Sequence, residues 1–142
     1  MKKLLVLAFV SLASVLTGCV GNIQYGDFAP AESLVVEFIA DDAVSQLAEI
    51  YPAAHTSFEM DPKSLGVLGA ALETRMRDSG FAVSYTEGRE FNYIFDVLTE
   101  NRFRLTLDLE DSKFSRLYSS ETTPQGTQIE AVSKWTVFNK EF

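Results

Sequence analysis

Cys19 is the only cysteine in the chain and stands directly behind Leu16-Thr17-Gly18. Small residues let a backbone enter a peptidase cleft, and a cysteine thiol is the side-chain nucleophile suited to forming a thioether. Cys19 and His55 are the single thiol and the single imidazole of the chain, so metal sites built from several thiolates or imidazoles are excluded and only carboxylates could hold Ca²⁺ or Mg²⁺. The pairs Asp41-Asp42 and Glu110-Asp111 lack the spaced oxygen ligands and central glycine of a calcium loop, and read as solvated helix and turn residues. A Ser-His-Asp triad would have to be built around His55, just after the Pro52-Ala53-Ala54 turn. No glycine-rich phosphate loop, nucleophile elbow or dinucleotide fingerprint is present; Gly66-Val67-Leu68-Gly69 lies in a helical stripe with no lysine behind it. The expectation is binding rather than catalysis, with no catalytic residue, no metal and no dissociable cofactor.

Met1-Lys2-Lys3 ahead of the apolar run Leu4–Leu16 has the layout of a secretory signal, and the run is shorter than the roughly 20 residues of a membrane-spanning helix. Leu16-Thr17-Gly18-Cys19 resembles the lipobox of bacterial prolipoproteins. The resemblance implies that signal peptidase reads Leu16, Thr17 and Gly18, that Cys19 carries covalent lipid, and that Cys19 becomes the first residue of the mature chain. Acyl chains contribute about 0.8 kcal/mol per buried CH₂, so several of them anchor a protein stably without spanning the bilayer. Val20, rather than Asp, after the cysteine points by the same resemblance to the outer membrane, with the body facing the periplasm.

The elements that would position any binding surface follow. Residues 1–18 form the signal and 19–32 a lipidated, flexible tether containing Gly21, Asn22, Gly26, Asp27 and Pro30. In it, Tyr25 and Phe28 are either solvated aromatics or anchors for a partner groove. Residues 33–142 form a single α+β domain. Leu34, Val35, Phe38, Ile39, Ala43, Leu47, Ile50 and Tyr51 recur at helical spacing up to Pro52, although Leu34-Val35-Val36 could equally open as a strand. His55–Met60 alternates as a half-buried strand. Asp61-Pro62 is a helix opening, the stripe Leu65, Leu68, Leu72 and Met76 follows, and Gly80 is the stop. Gly69 costs helix propensity, so close packing is its expected reason.

Beyond Gly80 the period changes to two. Strands are predicted at Phe81–Tyr85, Phe91–Leu98, Arg102–Leu109, Phe114–Ser119 and about Ile129–Phe138, with turns at Glu87-Gly88, Glu100-Asn101 and Asp111-Ser112 short enough for antiparallel neighbours. The predicted fold is α+β, two helices packed on one face of a mainly antiparallel sheet of about five strands. Phe91, Tyr93 and Phe95 share a face; they are either core or a partner surface, and Arg116, Tyr118 and Trp135 present the same alternatives.

Composition narrows the partners. Lys and Arg number 12 against 20 Asp and Glu, and removing residues 1–18 with Lys2 and Lys3 takes the formal charge from −8 to −10. Such a surface repels phosphate backbones, so nucleic acid is not expected as a direct partner.

Several runs together resemble the TrbH-type conjugal transfer lipoproteins. They are Asp41-Asp42-Ala43-Val44, Gln46-Leu47-Ala48, Tyr51-Pro52-Ala53-Ala54, Gly69-Ala70-Ala71-Leu72 and Gly80-Phe81-Ala82-Val83, then Leu105, Ser115-Arg116-Leu117-Tyr118, Trp135 and Lys140-Glu141. The resemblance implies a structural part of the mating-pair-formation apparatus, a type IV secretion channel, with other channel subunits or further copies of this chain as partners. The alternative is a periplasm-facing lipoprotein that binds a small ligand or inhibits an envelope enzyme.

Overall fold

The computed structural model describes residues 21–140, so Leu16, Thr17, Gly18 and Cys19 lie outside the described residues. In chain order the elements are β1 (Gly26–Asp27), α1 (Ser33–Ile50), a 3-10 turn (Ala53–His55), β2 (Ser57–Met60), α2 (Val67–Asp78), β3 (Ala82–Ser84), β4 (Arg89–Thr99), β5 (Arg102–Leu109), β6 (Ser112–Thr123), β7 (Gly126–Ala131) and β8 (Thr136–Asn139). The α+β class and the two helices are as expected. The sheet is not: it has eight strands rather than about five, and it is mixed rather than mainly antiparallel.

Two features account for the difference. First, β2, α2 and β3 form a βαβ unit, and a crossover helix makes its flanking strands parallel. β4 then pairs with the other side of β2, also in parallel. The chain reaches it by stepping over β2 at Gly88, which has φ +136° and where a Cβ would lie 2.9 Å from the Ser57 carbonyl oxygen. Glu87-Gly88 is therefore a crossing, not the hairpin turn expected there. Second, both long inner strands are flanked by pairs of short ones laid end to end. β2 and β1 share one edge of β4, at Arg89–Phe91 and Ile94–Phe95, and β7 and β8 share one edge of β6, at Tyr118–Thr123 and Ser112–Ser115. The single strand expected near Ile129–Phe138 is thus two.

The β4–β5–β6 centre is antiparallel, with Tyr93 opposite Leu107 and Leu107 opposite Phe114. Alternation in Arg102–Leu109 sends Phe103, Leu105, Leu107 and Leu109 into the core under the helices. The helix stripes are read in part. Leu68, Leu72 and Met76 of α2 are buried as expected. Helix α1 begins at Ser33, so Leu34–Val36 is helical, but its buried face is Val35, Val36, Ile39, Ala40, Ala43, Val44 and Leu47. The larger Leu34, Phe38 and Ile50 are exposed instead. Alanines at 40 and 43 let α1 lie close to its neighbours, which rotates the bulkier residues outward.

Candidate functional site

The aromatic strand residues turn inward. Phe91 is buried against Phe58, with ring centroids 5.5 Å apart. Tyr93 is buried under α2, where its hydroxyl donates to Asp27 Oδ1 at 2.6 Å and accepts from the Gly66 amide at 3.1 Å. Burial, and then the Asp27 carboxylate, push the Tyr93 hydroxyl well above the ordinary tyrosine range. Tyr118 is buried beneath α1 and donates to Asp42 Oδ2 at 2.7 Å; burial and this carboxylate raise it further still. As partner contacts, Phe91, Tyr93 and Tyr118 are thereby corrected to core: their side chains leave no surface to offer.

Arg116 and Trp135 sit beside Tyr118 at the edge of the same layer. Arg116 Nη1 donates to both Asp42 oxygens at 2.8 and 2.9 Å, its Nε donates to the Ser133 carbonyl at 2.9 Å, and its guanidinium lies 5.6 Å from the Trp135 ring centre. An arginine on the helix side of the sheet needs such a partner, since an unpaired charge there is costly. The β7–β8 connection, residues 132–135, is tied down by the same group, because Ser133 Oγ accepts from the Leu117 amide at 2.9 Å. Asp42, read as a solvated helix residue, is instead the hub of this cluster.

A second constellation holds the N-terminal segment, and nothing local in the sequence announces it. The Asp27 carboxylate accepts from the Leu68 amide at 2.8 Å, capping α2 from a strand 41 residues away. Phe28 donates its amide to the Phe95 carbonyl at 2.7 Å. Tyr25 crosses to the other side of the sheet and donates to Asp108 Oδ2 at 3.0 Å. The stretch expected to be a free tether is therefore fixed to the body from Tyr25 onward.

Asp108 is the buried charge of the open sheet face. Lys140 Nζ lies 2.6 Å from its Oδ1 and Lys113 Nζ 3.1 Å from its Oδ2. Burial alone would raise its carboxyl, but Lys140, Lys113 and Tyr25 more than reverse this and hold it below the usual range. Tyr25 answers in the opposite sense, pushed up to about 12 by burial and by the bond to Asp108. At the far end of α1, Tyr51 donates to Asp111 Oδ1 at 3.0 Å, and Arg89 pairs with Asp111 at 2.9 Å while lying over the Tyr51 ring.

Concavities are open grooves. One of about 590 Å³ runs beside Ile50, Tyr51, Phe114 and Val137, and one of about 360 Å³ beside Ile23, Phe28, Lys63 and Asn92. His55 is exposed in the 3-10 turn. Among the described residues no group of three or more His, Cys, Asp and Glu is placed to hold a metal ion, and no helix is long and apolar enough to cross a membrane.

Compared with known proteins, residues 21–141 match the family of conjugal transfer protein TrbH. No curated protein and no solved structure matches the chain. The match spans nearly all of the folded body, from the segment before β1 to the residue after Lys140, and on that extent the chain belongs to the TrbH family of conjugal transfer proteins.

Proposed function

We propose that this protein is a lipid-anchored assembly component of a conjugative type IV secretion apparatus, attached through Cys19 to the outer membrane and facing the periplasm. The observation that carries the reading is the order of features along the chain: Leu16-Thr17-Gly18-Cys19 ends two residues before the conjugal-transfer match begins. Acyl chains confine the body to a surface it shares with other channel subunits. Such confinement raises effective concentration, so modest intrinsic affinity suffices for assembly.

The test is Cys19→Ser in the full chain, expressed from its own locus. The expected result is a folded protein lost from the outer-membrane fraction and a fall in DNA transfer. Wild-type transfer by a variant verified to lack lipid would contradict the proposal.

A further inference from the structure

The sheet ends on a free edge. β7 and β8 lie end to end along β6, both antiparallel to it. The Val132 amide bonds to the Leu117 carbonyl at 2.9 Å and the Lys140 amide to the Asp111 carbonyl at 3.0 Å. Antiparallel strands bond at every second residue, so these two bonds fix which groups face β6. Thr127, Ile129 and Ala131 of β7, and Val137 and Asn139 of β8, turn their N–H and C=O outward. The opposite end of the sheet is closed differently, since Arg77 Nη2 donates to the Val83 carbonyl of β3 at 2.9 Å. Between β7 and β8 the chain leaves the edge accessible: the Ser133 carbonyl and the Trp135 ring both turn to Arg116 on the helix side.

The two halves of this edge differ in charge. On the open face beside β8, Lys113 and Lys140 share one carboxylate, Asp108, which leaves an excess of positive charge, and Lys134 precedes the strand. Beside β7 the same face carries Glu121 and Glu130, both exposed. On the helix side both halves are apolar. Ile129 and Ala131 of β7 pack against the core, and Val137 of β8, 48% exposed, borders the groove beside Ile50. An edge that is basic at one end and acidic at the other is complementary to its own reversed copy.

We propose that this edge joins two copies of the chain about a two-fold axis perpendicular to the sheet, β8 of each pairing with β7 of the other. The direction is right, because β7 and β8 run the same way along β6 and the axis reverses one of them. The pleat is right as well: the residues with outward N–H and C=O on both strands carry their side chains on the helix side, so those that bond across the join share a face. Ile129 of one copy then comes to Val137 and the Ile50 groove of the other, and Lys134 of one toward Glu130 of the other. The pairing does not depend on acylation at Cys19.

The experiment is sedimentation of the full chain in excess detergent at about 100 µM, where a contact with Kd about 10 µM is mostly formed. The expected polypeptide mass is that of two copies. Val137→Pro removes one outward N–H and no bond within the chain, as proline does on an edge strand; it is expected to give the mass of one copy with an unchanged Tm. Glu130→Lys and Lys134→Glu, both at exposed positions, each put like charges at the join and weaken association roughly tenfold or more. Mixing these two variants restores it, because each then meets the opposite charge. A native chain that stays monomeric overturns the proposal, as does a dimer unaffected by Val137→Pro or charge variants that fail to rescue each other on mixing. Cross-linking from position 137 to a different envelope protein, with none to a second copy, assigns the edge to that protein and overturns it too.

Discussion

Gly69 and Tyr93 meet where α2 crosses β4: a Cβ at position 69 would lie 2.5 Å from the Tyr93 hydroxyl oxygen and 3.1 Å from its ring carbon Cε1. The hydroxyl cannot retreat, because it is held by Asp27 and by the Gly66 amide. In an open helix Gly→Ala stabilises by up to about 1 kcal/mol. Here Gly69→Ala is predicted to destabilise by about 1–3 kcal/mol, as overpacking does in a close-packed core. Urea unfolding measures it, and Tyr93→Phe in the same chain recovers part of the loss.

Asp27→Ala removes the cap of α2 and the acceptor for Tyr93 together. The expected loss is about 1–2 kcal/mol, the upper range for a helix cap. Its distinctive readout is local: hydrogen exchange at the Phe28 amide, bonded to Phe95, accelerates more than exchange in β5. Equal acceleration in both places would mean that β1 is not separately latched.

Asp42→Ala strands Arg116 and the Tyr118 hydroxyl. Both members of the ion pair keep about a quarter of their side-chain surface in water, at 24% and 22%, so the loss is about 2–3 kcal/mol rather than the ~3–5 of a fully buried pair. The double variant Asp42→Ala with Arg116→Ala costs less than the sum of the two single changes, and a double-mutant cycle in thermal or urea unfolding gives the coupling. These residues fix α1 to the sheet, so their variants are read first as stability variants.

Acid stability follows from the lowered carboxyls of Asp108 and Asp111. A folded-state pKa below the unfolded value, about 3.9 for Asp, means that the stabilisation is fully present above that value and is lost as pH falls through the folded pKa. Tm should hold near neutral pH and drop below about pH 4, with protonation of Asp108 releasing Lys113 and Lys140. Asp108→Asn lowers Tm at neutral pH and flattens the acid limb. Tyr93 and Tyr118 act at the other extreme: raised in the fold, they withdraw stability only as pH climbs above the ordinary tyrosine value of about 10.

Local periodicity carried the parts of this fold that are locally determined. Arg102–Leu109 alternates and is a strand over those residues; Leu68, Leu72 and Met76 form the buried stripe of α2; Gly80 ends that helix region with φ +90°. What escaped depends on distant partners. Asp61-Pro62 has the chemistry of a helix start, but Asp61 spends it on a turn, accepting from the Lys63 amide at 2.9 Å, and α2 begins only at Val67. Its cap comes from Asp27, and no local pattern marks a two-residue strand. Asp42 and Arg116 lie 74 positions apart, so their pairing has no signature in either neighbourhood. The outward rotation of Leu34, Phe38 and Ile50 likewise depends on how α1 shares its surface between the sheet and α2.

The proposed role depends on the body being tied to a bilayer through the sulfur of Cys19. Intact-mass analysis of the mature protein, purified in detergent from cells making the full chain, addresses it directly. The expected polypeptide begins at Cys19 and carries the added mass of a diacylglyceryl thioether with further acylation. A mature chain that begins at another residue, or one of bare polypeptide mass, would contradict it.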